Sequence, residues 1–266
     1  FFTMGFHGFD RLEKEFRADG WYYARASDFV NAKQEIISTK PHNCLSSNET
    51  ACWTLGPLML TLLIKDSVIV CHGPTACSSY WYNFLGMYGP KVMVSTQLND
   101  RDAFLGGGAK LRETLLEVIE SYKPGMVAVV ETCVSSITKD DLNGICAELE
   151  QTHQIPIIPF RGSGFRYPNW VIGFEEGFNM IIDRMKRTEE KNERSINFLN
   201  TPLVFHWRAF FEILPYLQRL GIKINTHTLS FLNFQELIEK YPRGALNVTR
   251  CPGQGLQCTE YAEKLL

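Results

Sequence analysis

Three of the eight cysteines in this 266-residue chain stand where a loop meets a predicted helix. Cys52 follows a polar loop, Cys77 follows the turn that begins at His72, and Cys133 follows a predicted strand. Free N–H groups and the helix dipole at such junctions lower a thiol pKa and stabilise thiolate or anionic sulfide. Three thiolates from three loops suit an iron–sulfur cluster, whereas the lack of a C-x-x-C pair disfavours a zinc ribbon. The alternative interpretation is that each thiol is a small core residue.

The other cysteines give weaker signals. Cys71 lies in an apolar strand and Cys146 lies on the apolar face of a predicted helix, so both are interpreted as core residues. Cys44 and Cys258 have no assigned role. Cys251 lies just past the end of a predicted strand, where either a core thiol or a ligand would fit.

Further polar motifs are interpreted as structural. The glycine run at residues 106–108 lacks the G-x-x-x-x-G-K-[ST] pattern, so it predicts a tight turn before a helix rather than a phosphate loop. His72 is interpreted as a side chain that stabilises a Gly-Pro turn. Two acidic pairs are expected on helices, one in a first turn and one on a solvated face: Asp140-Asp141 and Glu175-Glu176.

The elements that would position these residues alternate between strands and helices. Strands are predicted at residues 67–71, 91–95, 126–131, 155–159, 202–206, 222–226 and 245–249. Helices are predicted at residues 9–17, 52–63, 109–122, 140–151, 170–187, 209–220, 234–241 and 254–266. This rhythm predicts an α/β fold of successive Rossmann-like, doubly wound parallel sheets. Ligands in such sheets bind beyond the carboxyl ends of the strands, which is where Cys133 and Cys251 are expected.

A polar stretch divides the chain. Residues 188–195 carry no apolar side chain and are interpreted as a linker, or as the solvated end of the preceding helix. We therefore expect an N-terminal Rossmann-like domain with the three cluster cysteines at residues 1–190. A second Rossmann-like domain is expected at residues 191–266, incomplete at its C-terminus.

Composition excludes several classes of protein. With 45% hydrophobic and 12% aromatic residues, the chain is too apolar to be disordered. No stretch reaches the ~18 uninterrupted apolar residues of a membrane helix. A net charge of −2 gives no electrostatic argument for a nucleic-acid or membrane partner. The sequence shows no secretory leader and few cysteines for its length, which predicts a cytoplasmic protein.

From about Cys44 to its C-terminus, the sequence resembles component 1 of nitrogenase and its relatives. Three cysteine motifs, a Gly-Gly element and an Asp-Asp element carry the resemblance, in the order and with the separations of that family. They stand here as Ala51-Cys52-Trp53-Thr54-Leu55-Gly56, His72-Gly73-Pro74-Thr75-Ala76-Cys77, Phe104-Leu105-Gly106-Gly107, Glu131-Thr132-Cys133 and Asp140-Asp141-Leu142.

The resemblance implies an oxidoreductase subunit that is active only with partner subunits in an α2β2-type heterotetramer. In that family the first of three Rossmann-like domains supplies three cysteines to an iron–sulfur cluster between homologous subunits. The cluster is the eight-iron P-cluster (8Fe-7S) in nitrogenase and a four-iron cluster (4Fe-4S) in several relatives. The implied ligands are Cys52, Cys77 and Cys133. An ATP-dependent iron protein would deliver electrons to this cluster, and from there they would reach a small-molecule substrate.

Two further residues enter through the resemblance. Residues 245–251 are similar to the segment in which α-type subunits carry a cysteine that binds the active-site metallocofactor, which would make Cys251 a ligand of a second iron–sulfur cofactor. Ser163, aligned with a gap, matches the β-type serine near the P-cluster. No histidine occurs at residues 164–177, where dinitrogen-reducing α-type subunits carry one beside the cofactor.

The resemblance leaves the reaction open among several relatives. The missing histidine favours a nitrogenase-like reductase of the methylthio-alkane type, which cleaves C–S bonds, over dinitrogen reduction. One alternative is a cofactor-assembly scaffold that shares the cluster motifs. Another is a tetrapyrrole reductase of the protochlorophyllide type, which binds a macrocycle in place of a second metallocluster.

Overall fold

A computed structural model describes residues 52–85, 92–165, 170–199, 204–227, 232–249 and 255–266. The predicted helix at residues 9–17 and the cysteines Cys44 and Cys251 lie outside the described residues. In the part that is described, no helix is long and apolar enough to cross a membrane.

The described chain alternates between parallel strands and helices. The strands are β1 (Ser67–His72), β2 (Met93–Ser95), β3 (Met126–Glu131), β4 (Ile157–Phe160), β5 (Asn192–Leu199), β6 (Lys223–His227) and β7 (Gly244–Thr249). The helices are α1 (Leu55–Thr61), α2 (Thr75–Leu85), α3 (Asp100–Leu105), α4 (Gly108–Tyr122), α5 (Cys133–Thr138), α6 (Leu142–His153), α7 (Trp170–Ile182), α8 (Val204–Arg219), α9 (Phe234–Lys240) and α10 (Leu256–Leu265). A 3₁₀ turn (Tyr241–Arg243) precedes β7.

The strands form two parallel sheets, which confirms the predicted α/β class. The first sheet has the order β2-β1-β3-β4 and the second has the order β6-β5-β7. In both sheets the chain moves from the first strand to one side and then crosses to the other. The order therefore reverses beside β1 and beside β5, and ligands in doubly wound sheets bind in the crevice at such a reversal.

The first sheet is buried on both faces. Every residue of β1 and β3 is buried, as expected for central parallel strands with continuous apolar runs. Side chains alternate between the faces, so Ile69 packs toward α1 and α7 while Val68 packs toward α4 and α6. This double cover holds the carboxyl ends of β1 and β3 in fixed positions.

One predicted strand is wrong. Residues 202–206 were expected to form a strand, but α8 begins at Val204 and the strand at this point of the fold is β5. The first three residues of β5 are exposed, and only Ser195–Leu199 are buried. The stretch at residues 188–195 was interpreted as a linker because it shows no apolar strand pattern, but β5 begins within it. The domain boundary at residue 190 stays a prediction.

The acidic pair on α7 is not on a solvated face, contrary to expectation. Glu175 is buried, and its Oε1 accepts hydrogen bonds from the backbone N–H of Gly255 at 2.9 Å and of Gln257 at 3.3 Å. Glu176 accepts a 2.7 Å bond from the indole N–H of Trp53. The first N–H groups of a helix lack partners within it, so Glu175 caps α10 from a distant element. This contact joins α7 to the segment that follows β7.

Glu175 is expected to make folding stability depend on pH. Burial, partly offset by the two N–H donors and reinforced by Glu260, raises its pKa from 4.5 to about 7. The folded chain therefore keeps this proton at pH values where the unfolded chain has lost it. The free energy of unfolding should fall by up to about 3 kcal/mol as pH rises from about 4.5 to 7.

Urea unfolding of Glu175→Gln across this pH range tests the assignment. Glutamine keeps an oxygen that accepts from the cap N–H groups but does not titrate, so the curve of stability against pH should flatten. The exposed Glu263→Gln, on the helix α10 that Glu175 caps, is the control and should follow the wild type. Parallel curves for wild type and Glu175→Gln would contradict the prediction.

Candidate functional site

The three cysteines predicted to bind a cluster meet at the carboxyl end of the first sheet. Cys77 lies in the first turn of α2, which follows β1, and Cys133 is the first residue of α5, which follows β3. These two strands flank the point where the strand order reverses. Cys52 reaches the same place from the turn before α1, whose Leu55 N–H bonds to the Cys52 carbonyl at 3.1 Å. Cys52 therefore precedes its helix, rather than opening it as predicted.

The contacts of Gly164 show how close the thiols are. A β-carbon placed on Gly164 would lie 2.8 Å from Cβ of Cys52, 3.5 Å from Sγ of Cys133 and 3.9 Å from Sγ of Cys52. Cys77 interacts electrostatically with both of these thiols. Burial, and then the charges of Cys133 and Cys52, raise the pKa of Cys77, so the lowered pKa expected at this helix junction is wrong for this thiol. All three thiols are free and half-buried. The fold thus collects three thiols at one partly open site.

The loop after β4 closes one side of this site. A β-carbon on Gly162 would lie under 3.0 Å from the indole of Trp53, so the loop packs directly against the residue after Cys52. Ser163 is fully buried, and its hydroxyl donates to Oγ of Ser136 on α5 at 3.2 Å. Ser163 therefore lies between the segments of Cys52 and Cys133. Its role at a cluster stays a prediction.

A buried histidine, His72, ends β1 five residues before Cys77. The His72 side chain is 0% exposed, with Nδ1 at 3.1 Å from Oγ1 of Thr96 and Nε2 at 3.0 Å from Oδ2 of Asp140. Burial lowers the pKa of His72, and the opposing effect of Asp140 does not offset it. His72 is thus a neutral side chain bridging two loops, which extends its predicted role in a turn.

Asp140 differs from its predicted place in a helix. It precedes α6, and Asp141 is the residue that caps this helix, through the N–H of Gly144. Burial would raise the Asp140 pKa, but hydrogen bonds donated by Thr138, Gly107 and His72 outweigh burial and hold the pKa below its ordinary value. Asp140 is therefore an ionised carboxylate bonded to three other segments. Of its three hydrogen-bond donors, only Thr138 lies near Asp140 in the sequence.

The remaining described cysteines are core residues. Burial raises the pKa of Cys71 and of Cys146 to about 12, with smaller contributions from Cys77 at the first and from Glu150 and Asp141 at the second. Cys258 is buried in α10 and its thiol donates to the Gly255 carbonyl. Across the described ranges, no three His, Cys, Asp or Glu side chains are grouped so as to hold a single metal ion.

Solved structures share this fold. Two nitrogenase structures, titled "Nitrogenase Cp1 at pH 5" and "Nitrogenase Cp1 at pH 6.5", match with TM-scores of 0.67 and 0.64 at 22% sequence identity. The matches cover 80% and 77% of this chain and 45% and 42% of the solved chains. At this identity the likeness shows the fold alone, which is the Rossmann-like fold of nitrogenase component 1.

Curated relatives extend the comparison to sequence. The nitrogenase iron-molybdenum cofactor biosynthesis protein NifE of Methanococcus maripaludis is 27% identical, over 84% of this chain and 48% of its own. NifE of Clostridium pasteurianum is 26% identical, over 94% and 55%. The nitrogenase molybdenum-iron protein alpha chain of Methanosarcina barkeri is 26% identical, over 60% and 32%. The chain spans about half the length of the first two relatives.

The match to a protein family also covers most of the chain. The family described as nitrogenase component 1 type oxidoreductase matches residues 52–265, a range that contains every described element. It includes the three converging cysteines and the His72–Asp140 contact. The chain therefore belongs to the nitrogenase component 1 type oxidoreductases.

Proposed function

We propose that this chain is the cluster-binding subunit of a nitrogenase-like reductase, with Cys52, Cys77 and Cys133 as ligands of an iron–sulfur cluster. The observation that carries the proposal is the meeting of three free thiols at the reversal point of the first sheet. Thiolates are the ligands that such clusters use. Their residue type and placement therefore fit the group.

The placement of two of the thiols suits an anionic cluster. Cys77 and Cys133 lie at helix N-termini, where the dipole stabilises negative charge. When bound, the cluster would supply one-electron transfer, and an 8Fe-7S P-cluster or a 4Fe-4S cluster would both use three ligands from this chain.

The half-exposed thiols favour a site completed by another protein. A low-potential cluster is best shielded from water, and this chain alone leaves all three cysteines partly open. We therefore propose a homologous partner subunit in an α2β2-type heterotetramer in the cytoplasm. An ATP-dependent iron protein would supply the electrons. A methylthio-alkane or dinitrogen would be reduced at a second metallocofactor, for which Cys251 is the proposed ligand.

Iron analysis of the co-expressed, anaerobically purified complex tests the ligand set. Changing a residue that only supports a metal ligand costs roughly 10–100-fold in affinity. Loss of a ligand in Cys77→Ala or Cys133→Ala should cost more, so iron and the low-temperature EPR signal should nearly disappear. The buried Cys146→Ala is the control and should keep both. A wild type without iron, or full iron in the first two variants, would refute the assignment.

The curated relatives favour a second candidate, an assembly scaffold for a metallocofactor. The first relatives compared are named as cofactor biosynthesis proteins, and they match more of this chain than the alpha chain does. A scaffold would hold the same cluster but pass a cofactor on. Incubating the loaded complex with a cofactor-free acceptor, and separately with substrate and iron protein, separates transfer from turnover.

A further inference from the structure

We infer that His72 and Asp140 are a positioning pair that fixes the two loops carrying Cys77 and Cys133. This inference rests on the proposed cluster function of those cysteines. Neither side chain is proposed to touch the cluster. The pair instead joins segments that are far apart in sequence, and two of those segments lead into ligand helices.

The backbone of His72 connects the two loops directly. Its carbonyl accepts hydrogen bonds from Oγ1 of Thr132 at 2.9 Å and from Oγ of Ser135 at 2.6 Å. Thr132 is the residue that caps α5, and Ser135 lies in the first turn of that helix. The last residue of β1 is therefore bonded to both sides of Cys133. Any shift of His72 moves the start of α5 with it.

The side chain of His72 is linked by hydrogen bonds to the turn between β1 and Cys77. Because Asp140 is ionised it can only accept, so Nε2–H of His72 donates to it and Nδ1 is left as an acceptor. The Thr96 hydroxyl donates to Nδ1 and accepts from the backbone N–H of Gly73 at 3.0 Å. Gly73 opens the turn to Cys77. Every donor in this chain of bonds has a matching acceptor.

Asp140 anchors the other end of the pair. Oδ1 accepts from the backbone N–H of Gly107 at 2.8 Å, and Oδ2 accepts from the Thr138 hydroxyl at 2.6 Å. A β-carbon on Gly107 would lie 3.0 Å from Cε1 of His72 and 2.5 Å from Cδ2 of Leu98. Glycine is thus needed for the approach of the loop to the imidazole. The pair gives a physical reason for the Gly-Gly and Asp-Asp elements, which no ligand role explains.

The segment of Cys52 provides an internal reference. Its described contacts run to the loop of Gly164, to the Glu131 carbonyl through Thr54 and to α7 through Trp53, and none of these runs to the pair. Loosening the pair should therefore affect Cys77 and Cys133 more than Cys52. A general loss of stability would instead expose all three thiols together.

The test is the alkylation rate of each thiol by iodoacetamide, read by mass spectrometry. It is measured in the anaerobic complex after a chelator has removed iron. Loss of one buried hydrogen bond changes an equilibrium roughly fivefold. In His72→Leu, alkylation of Cys77 and Cys133 relative to Cys52 should rise by at least about that factor. His72→Gln, which can still donate to Asp140, should restore most of the wild-type ratio.

A second variant keeps the inference testable if His72→Leu does not fold. Asp140→Asn preserves shape but places an N–H₂ group opposite two donors, so it should raise the same alkylation ratio. The adjacent Asp141→Asn makes the same chemical change but leaves its helix capped, because Asn and Asp cap equally well. It is the matched control and should not alter the ratio. An unchanged ratio in a folded His72→Leu or Asp140→Asn protein would overturn the inference.

The iron-loaded complex gives an independent measurement. Loop displacement should shift the EPR line shape and midpoint potential of the cluster in His72→Leu, with recovery in His72→Gln. An unchanged signal in a loaded His72→Leu complex would count against the pair. A wild type without iron would refute the cluster proposal alone, because the alkylation ratios would still report on the pair.

Discussion

Gly56→Ala is expected to destabilise this protein by about 3 kcal/mol, the upper part of the range for overpacked cores. A β-carbon at this position would lie under 3.0 Å from backbone atoms of Trp170, Gly173 and Phe174 in α7. Backbone atoms in a packed helix cannot move aside as a side-chain terminus can. The two helices would have to separate, and Trp53 and Cys52 would move with α1.

The sign of this effect is opposite to the one that helix propensity gives. Alanine in a helix interior is ordinarily better than glycine by about 1 kcal/mol. Here the glycines form a reciprocal contact, since a β-carbon on Gly173 would in turn meet the Trp53 carbonyl under 3.0 Å. The cost of the clash between the two helix backbones therefore exceeds the gain in helix propensity.

Thermal unfolding checks the prediction, with a melting temperature lower by roughly 10 °C. Gly177→Ala on the same helix α7 is the control, because its β-carbon would meet only side-chain atoms of Leu60 and Phe160 at 3.3–3.4 Å. That contact needs a shift of a few tenths of an ångström. Equal melting temperatures for the two variants would show that the α1–α7 approach is not as close as described.

Gly164→Val is expected to abolish cluster binding although all three cysteines are retained in the sequence. The added β-carbon would overlap Cβ of Cys52 at 2.8 Å, and the branched side chain would extend into the space beside Sγ of Cys133. Gly164 is half-exposed and the overlap falls on a side-chain carbon and not on helix backbone, so the cost to folding should be smaller than that of Gly56→Ala. The proposed cluster would then be excluded by shape and not by loss of a ligand.

Iron content and circular dichroism of the purified complex measure the two parts of this prediction. Iron should be nearly absent while the melting temperature stays within a few degrees of wild type. Arg161→Val places the same side chain at an exposed position of the same loop and should keep its iron. Normal iron in Gly164→Val would mean that the thiols hold no cluster in the described arrangement.

The central strands could be predicted from the sequence because they are buried on both faces. β3 was predicted with its observed bounds, and β1 to within one residue, from continuous apolar runs. β5 was missed because its first residues are exposed and charged, so only its second half carries an apolar pattern. An apolar strand pattern reflects burial, so a strand that is exposed over part of its length shows the pattern only over the rest.

Long-range contacts at and near the site could not be predicted from the spacing of residues in the sequence. Asp140 and Asp141 are identical neighbours, yet one caps α6 and the other bonds to a histidine 68 positions away. Glu175 looked like a surface residue because its partner Gly255 lies 80 positions away. Glu176 differs from its neighbour only by the face of α7 that it occupies. Local pattern contains no information on which distant donor a carboxylate meets.

The sequence by itself determined the α/β class, the family and the three candidate thiols, because apolar periodicity and cysteine motifs are local properties of the chain. The tertiary structure decided which elements share an edge, and so it brought Cys52, Cys77 and Cys133 to one site. It also decided that His72 and Asp140 are paired and that Gly56 must stay glycine. These outcomes depend on the approach of segments distant in sequence, which is fixed only when the two faces of the sheet are packed.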